Sequence, residues 1–252
     1  MKLRTLFAST VLGITASSGF AGTISLSAPF SDDASSGISS ANTYTHAISG
    51  GSAVSVNGVA FDALTTDATP ANFNWDTGDK SKNQVTGNFG DWNEANGRVP
   101  TGPEILGLLQ DFTYSGNGAD QPSAQNFTVS GLTSGASYDL RLYIRPWDTE
   151  GSGRPIAFTF TNGAEVDTVS GPEDRPNLVL GTDNWGEAYY LNYSYTAQSD
   201  SLVINAAVGE AIANSGSFHM YGLTNQVAAV PEPSSAMLIG LGFIGLVVRR
   251  RR

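Results

Sequence analysis

The side chains with most chemistry to offer are four tryptophans, Trp75, Trp92, Trp147 and Trp185, each set among polar neighbours. Arg145, Asp148, Glu150 and Arg154 flank Trp147, and Asp183, Asn184 and Glu187 flank Trp185, while Trp75 and Trp92 stand among Asp, Asn and Gly. An indole covers the apolar face of a sugar ring, and planar carboxylates, amides and guanidinia beside it take the hydroxyls. The pattern suits carbohydrate contact; capping the open end of a β-sandwich core is the plainer use of the same rings. Two oxygen-rich stretches, "SDDASSG" from Ser31 and "DTGDK" from Asp76, carry the ligand type of a structural calcium ion, without the fixed spacing of an EF-hand loop. His46 and His219 are the only histidines and both lie in strand-like runs, so zinc fits poorly and packed or edge histidines are expected.

Catalytic constellations are harder to find. The absence of cysteine excludes disulfides, thiolate nucleophiles and cysteine-built zinc sites. No G-x-S-x-G, H-E-x-x-H or glycine-rich phosphate loop occurs. Carboxylates abound, but a glycosidase pair is defined by a separation of about 5–9.5 Å in space, which order along the chain does not supply. The expectation is therefore a protein without catalytic activity. A carbohydrate-binding module is the first alternative and a secreted hydrolase the second.

These side chains need a scaffold, and the sequence indicates strands. Glycine occurs 29 times, lysine only at positions 2, 80 and 82, and polar turn residues recur throughout. Long helices are disfavoured, and short strands joined by tight turns fit. "TISLSAPF" opens a first strand, and Tyr44 to Ile48 and Ala53 to Leu64 follow, the latter broken at Asn57-Gly58 by a tight-turn pair. Residues 65–101 read as a long polar loop or short irregular strands. "GPEILGLLQDF" from Gly102, with Pro103 in its first turn and apolar residues at 105, 106, 108, 109 and 112, predicts the one short helix. Phe127 and Val129 alternate before a turn at Gly131 to Gly135. Tyr138, Leu140, Leu142 and Ile144 then share one strand face, and Arg141, Tyr143 and Arg145 the other. "PIAFTFT" is a further strand, "EAYYLNYSYTA" and "SLVINAAV" read as an antiparallel pair, and "SFHMYGLT" closes the series. About eight to ten strands predict an all-β, two-sheet sandwich in one domain. The segment "VSGLTSGASYDLRLY" and the late strands resemble jelly-roll domains of the galactose-binding type, a likeness of fold that includes both binders and inert modules.

Charge is unevenly placed. Between Gly22 and Ala229 there are 22 acidic and 7 basic residues, whereas Lys2, Arg4 and Arg249 to Arg252 sit at the ends. The acidic middle repels nucleic acid and anionic lipid, and no nucleic-acid partner is expected. "MKLRTLFASTVLGITASSGFAG" has a basic start, an apolar stretch and small residues at Gly19 and Ala21, the pattern of a secretory signal over residues 1–21 with Gly22 as the mature start. At the other end, Ala236 to Val248 are all apolar or glycine. As a helix they reach ~20 Å, short of a ~30 Å hydrocarbon core. Spanning would require snorkelling arginines and local thinning of the bilayer. The arginines hold the cytoplasmic side, which leaves the body outside. Pro231-Glu232-Pro233 stays extended, because two prolines lack backbone donors and fix their own φ.

This order of Pro-Glu-Pro, about a dozen apolar residues and terminal arginines resembles the PEP-CTERM sorting signal of Gram-negative bacteria. Pro231, Glu232 and Pro233 match its motif, Ala236 to Val248 its hydrophobic segment, and Arg249, Arg250, Arg251 and Arg252 its basic stop. The resemblance covers only the last ~23 residues. It implies handling by the secretion machinery, a transient stay in the inner membrane, and removal of the tail near Pro-Glu-Pro by exosortase, a membrane enzyme with a cysteine nucleophile. It further implies a surface or extracellular-matrix location in bacteria that make exopolysaccharide and biofilm. The resulting expectation is a signal peptide at 1–21, a β-sandwich at 22–226 and a sorting tail with a hydrophobic helix at 227–252.

Overall fold

The computed structural model describes residues 21–66, 69–78, 83–86, 102–115, 124–144, 156–169, 188–208 and 218–229. The expected signal peptide up to residue 20 and the sorting tail from residue 230 lie outside them. The strands are β1 (Thr23–Leu26), β2 (Tyr44–Ser49), β3 (Val54–Val56), β4 (Val59–Ala63), β5 (Phe73–Asp76), β6 (Asn83–Thr86) and β7 (Phe112–Ser115). They continue as β8 (Ala124–Ser130), β9 (Ser137–Ile144), β10 (Ile156–Asn162), β11 (Glu165–Val169), β12 (Tyr189–Thr196), β13 (Ser201–Val208) and β14 (Gly222–Val227). Among the described residues one α-helix, α1 (Pro103–Gln110), accompanies them.

Two large sheets result, and a small one of β6 and β7. The first has seven strands in the order β1-β12-β9-β14-β2-β4-β3, and the second five in the order β11-β10-β13-β8-β5. Pairing is antiparallel except between β2 and β4. The last strand, β14, occupies the middle of the larger sheet, between β9 and β2. Its ladder runs on past the strand, with the Ala228 N–H donating to the Ser137 carbonyl at 2.9 Å.

Alternation builds the sandwich core. Leu140 and Leu142 of β9, Leu191, Tyr193 and Tyr195 of β12 and Leu223 of β14 face Phe127 and Val129 of β8, Phe158 and Phe160 of β10 and Leu202 and Ile204 of β13. Phe160 stacks on Tyr193 at 4.3 Å between centroids, tying the sheets face to face. A second cluster lies on the opposite face of the seven-stranded sheet. There Tyr143 of β9 and Tyr221 pack with Phe30, Ile38, Val56, Phe61, Phe112 and the buried stripe Ile105, Leu108 and Leu109 of α1.

Local chemistry explains the elements. Asn57 and Gly58 take φ of 50° and 76°, the pair of positive values that a two-residue hairpin between β3 and β4 demands. Helix α1 begins with Pro103, and an aspartate from a distant loop serves its first turn: Asp33 Oδ1 accepts the Ile105 N–H at 2.7 Å. The helix stops at Gln110 because Asp111 is extended. Phe112, expected as the last apolar residue of the helix, instead opens β7.

One further expectation is corrected, and one open alternative is resolved in favour of short strands. The runs "EAYYLNYSYTA" and "SLVINAAV" are not an antiparallel pair. β12 pairs with β1 and β9, while β13 pairs with β8 and β10, so the chain crosses from one sheet to the other between them. Alternation specifies which face is buried and not which neighbour is bonded. The polar stretch 65–101 contributes β5 and β6, and Trp75 lies in β5. The strand "EVDTV" (β11), unanticipated, pairs with β10 across a turn at Gly163, whose φ is 63°.

Candidate functional site

The four candidate tryptophans fare differently. Trp75 is 1% exposed; it pairs with Phe127 across β5 and β8, and its indole N–H donates to Gln125 Oε1 at 3.1 Å. Gln125 in turn donates to the Phe218 carbonyl at 2.6 Å. This ring is a core residue with its polar edge satisfied, and it offers no face to a ligand, which corrects its assignment as a sugar contact. Trp92, Trp147 and Trp185 lie outside the described residues, as do Pro231, Glu232, Pro233 and Arg249 to Arg252.

The oxygen-rich stretches are occupied with local structure. Asp32 Oδ1 accepts both the N–H and the hydroxyl of Ser35, and these bonds hold its carboxyl below the usual range. Asp33 serves α1, and Asp76 accepts the Gly78 N–H at 2.8 Å in a turn. Among the described residues no three His, Cys, Asp or Glu side chains stand together in a metal-binding group. His46 is buried on β2, with Nε2 3.0 Å from the Asn72 carbonyl and Nδ1 3.1 Å from Thr45 Oγ1. Burial lowers its pKa, against the pull of the Asn72 carbonyl. His219 stacks on Phe112 at 4.0 Å. Both histidines are packed; His46 lies in β2 as expected, whereas His219 precedes β14 and is not in a strand.

The chemistry instead gathers on the outer face of the seven-stranded sheet, where the strand register aligns polar side chains. Asn192 of β12, Arg141 of β9 and Thr224 of β14 stand in one cross-strand row, and Ser194, Asp139 and Gln226 in the next. Asn192 donates to Ser194 Oγ at 2.9 Å, and Ser194 donates to Asp139 Oδ1 at 2.5 Å. The Arg141 guanidinium lies 4.7 Å from the centre of the Tyr190 ring and donates from Nη1 to the Gly37 carbonyl. Gly37 sits so close that a Cβ there would come within 2.9 Å of that Nη1, and its φ of 72° also favours glycine.

Several polar atoms on this face are buried without a well-formed hydrogen bond: Arg141 Nε, the Tyr143 hydroxyl, Thr224 Oγ1 and Gln226 Oε1. Burial raises the Tyr143 hydroxyl to about 12, with the nearby Arg141 charge and loose hydrogen-bond contacts to Thr224 and Arg141 acting in the opposite direction. Buried polar atoms without a well-formed protein hydrogen bond are sites for an interior water or a bound polar group. Three are donors or hydroxyls and one is an amide oxygen, so the row offers both donors and acceptors. The sequence showed part of this, since Arg141 and Tyr143 share a strand face. The partners on β12 and β14 depend on strand order, which the sequence does not carry.

Residues 229–252 match the PEP-CTERM protein-sorting motif. No curated protein matches the chain. Among solved structures, the plant receptor-like kinase ANX1 is similar over 51% of this chain and 35% of its own, at 13% identity and a TM-score of 0.39. The ANXUR1 extracellular domain from Arabidopsis thaliana is similar over 58% of this chain and 39% of its own, at 13% identity and a TM-score of 0.42. A family GH115 4-O-methyl-alpha-glucuronidase, BtGH115A, is similar over 48% of this chain and 15% of its own, at 16% identity and a TM-score of 0.29. The chain thus spans well under two thirds of each of these proteins.

Proposed function

We propose that this chain is an exported, exosortase-processed surface or extracellular-matrix protein, without catalytic activity, that works beside exopolysaccharide. The observation that carries the reading is the sorting motif at residues 229–252, directly after the ladder of β14 ends at Ala228. Secretion machinery would deliver the chain. The apolar stretch Ala236 to Val248, which would reach ~20 Å as a helix against a ~30 Å core, would detain it at the inner membrane. Exosortase would then cut near Pro231, at the foot of a folded domain. The crossings between sheets at β8 to β9 and β12 to β13 support a jelly-roll-like form of the sandwich.

Mass analysis of the protein recovered outside the cell tests this reading. Loss of the tail with a new end close to Pro231 is expected. An extracellular form that keeps Arg249 to Arg252, or a full-length product free in the cytosol, would overturn it.

A second reading, a carbohydrate-binding module, is favoured by the row of Asn192, Ser194 and Asp139 beside Arg141 on Tyr190. A rigid sheet face with planar polar groups and an aromatic ring meets the needs of sugar hydroxyls. Trp147 and Trp185 belong to the same reading. Mature protein should then be retained on native cell polysaccharide, and Asn192→Ala should weaken retention at unchanged Tm. Absence of any retention removes this reading and leaves the scaffold role.

A further inference from the structure

The start of β1 is tied down by an unusual set of acidic groups. The Gly22 N–H donates to Asp167 Oδ2 at 2.9 Å, and the Tyr193 hydroxyl donates to the same oxygen at 2.7 Å. Glu165, two residues back on the same face of β11, has a buried Oε2 with no hydrogen-bond partner. Burial, the bond to Asp167 and the charges of Asp167 and Glu165 all push the Tyr193 hydroxyl far above its ordinary range. A Cβ on residue 22 would come 2.2 Å from Tyr193 Cε2, so only glycine fits this approach. The Asp167 carboxylate thus meets a neutral amide, with the Glu165 charge close enough to act on the Tyr193 hydroxyl bound to the same oxygen. Arg141 is the sole lysine or arginine among the described residues, and it is engaged by Gly37 and Tyr190.

The sequence places the secretory cut between Ala21 and Gly22, at this same nitrogen. We propose that cleavage there creates an α-ammonium that docks onto Asp167 and Glu165, so that export itself supplies a cation to this site. A signal peptidase would hydrolyse the bond. Water gives its hydroxyl to the Ala21 carbonyl carbon, and the Gly22 nitrogen takes up protons to become an ammonium while the new carboxyl loses one. The docked charge joins β1, at one edge of the seven-stranded sheet, to β11, at one edge of the five-stranded sheet, and so fastens that side of the sandwich.

This inference rests on the export reading, and its test separates the two. The full chain is expressed in an exporting host and the protein outside the cell is recovered. N-terminal sequencing should begin at Gly22. A start elsewhere, with the tail still trimmed near Pro231, overturns the docking and leaves export standing; an exported form that retains residues 1–21 also overturns it. Nitrogen-15 NMR of glycine-labelled mature protein should show the α-amino group titrating above its ordinary ~7.7–8.0, and at the ordinary value in Asp167→Asn. A raised folded pKa adds stability below the unfolded value, and the gain is lost as pH rises through the folded one. The Tm of the mature protein should therefore fall as pH climbs above about 8, more steeply than in Asp167→Asn. The titratable groups at or around the Tyr193 hydroxyl, which shares Asp167 with the Gly22 nitrogen, are Asp167, Glu165 and Tyr195. Burial pushes the hydroxyls of Tyr193 and Tyr195 well above this window. Tyr193→Phe, which keeps both carboxylates, should lower Tm and preserve the slope. Equal slopes in wild type and Asp167→Asn, or an unshifted amine, would refute the docking.

Discussion

The two faces of the seven-stranded sheet are built by one rule and finished differently. Towards the sandwich core, the Tyr195 hydroxyl of this sheet is answered by Asn225 at 3.1 Å, and Trp75 of the opposing sheet by Gln125, which Phe218 answers in turn. On the outer face, Arg141 Nε, the Tyr143 hydroxyl, Thr224 Oγ1 and Gln226 Oε1 are covered yet without a well-formed hydrogen bond. A satisfied network rigidifies a core, whereas an unsatisfied one costs free energy until something polar arrives. The inner face is where this protein holds itself together. The outer face is where it has capacity to spare.

Neighbours on β9 give the sharpest test, since Leu142 and Tyr143 are both wholly buried and point to opposite faces. Leu142→Ala opens a cavity between the sheets and should cost about 2–5 kcal/mol in denaturant unfolding. Trp75→Phe, on the opposing sheet, removes a donor and strands Gln125 Oε1, a loss of roughly 1–3 kcal/mol. Tyr143→Phe deletes a hydroxyl with only loose contacts to Thr224 and Arg141 and should change stability by less than about 0.5 kcal/mol. If Tyr143→Phe instead cost as much as Trp75→Phe, the outer face would already be holding a polar guest, and the contrast between faces would vanish.

Much of the scaffold was legible because local rules decide it. Asn57-Gly58 needs positive φ twice and makes its hairpin, and Pro103 with the Ile105, Leu108 and Leu109 stripe makes its helix. Trp75 was misread because β5 has four residues, too few for Phe73 and Trp75 to show a period against Asn74 and Asp76. Strand β11 hid for a different reason. It turns Glu165 and Asp167 inward and leaves Val166 exposed, the reverse of an ordinary half-buried strand. Inward-facing charge on an edge strand discourages pairing with other chains, and here it also marks the site facing Gly22. The polar rows on the outer face were half visible in β9; their completion by β12 and β14 needed the strand order.

That order has a consequence in time. β2 and β9 are separated by the place of β14, which lies more than 170 residues beyond the start of β2. A ladder closed by such distant segments forms late, because the loop entropy is lost before the contacts are gained. A chain that crosses a membrane with its amino end leading would therefore wait, its larger sheet split down the centre, until the segment beside the sorting motif came through. Completion of the fold and arrival of the tail at the lipid would then be nearly one event.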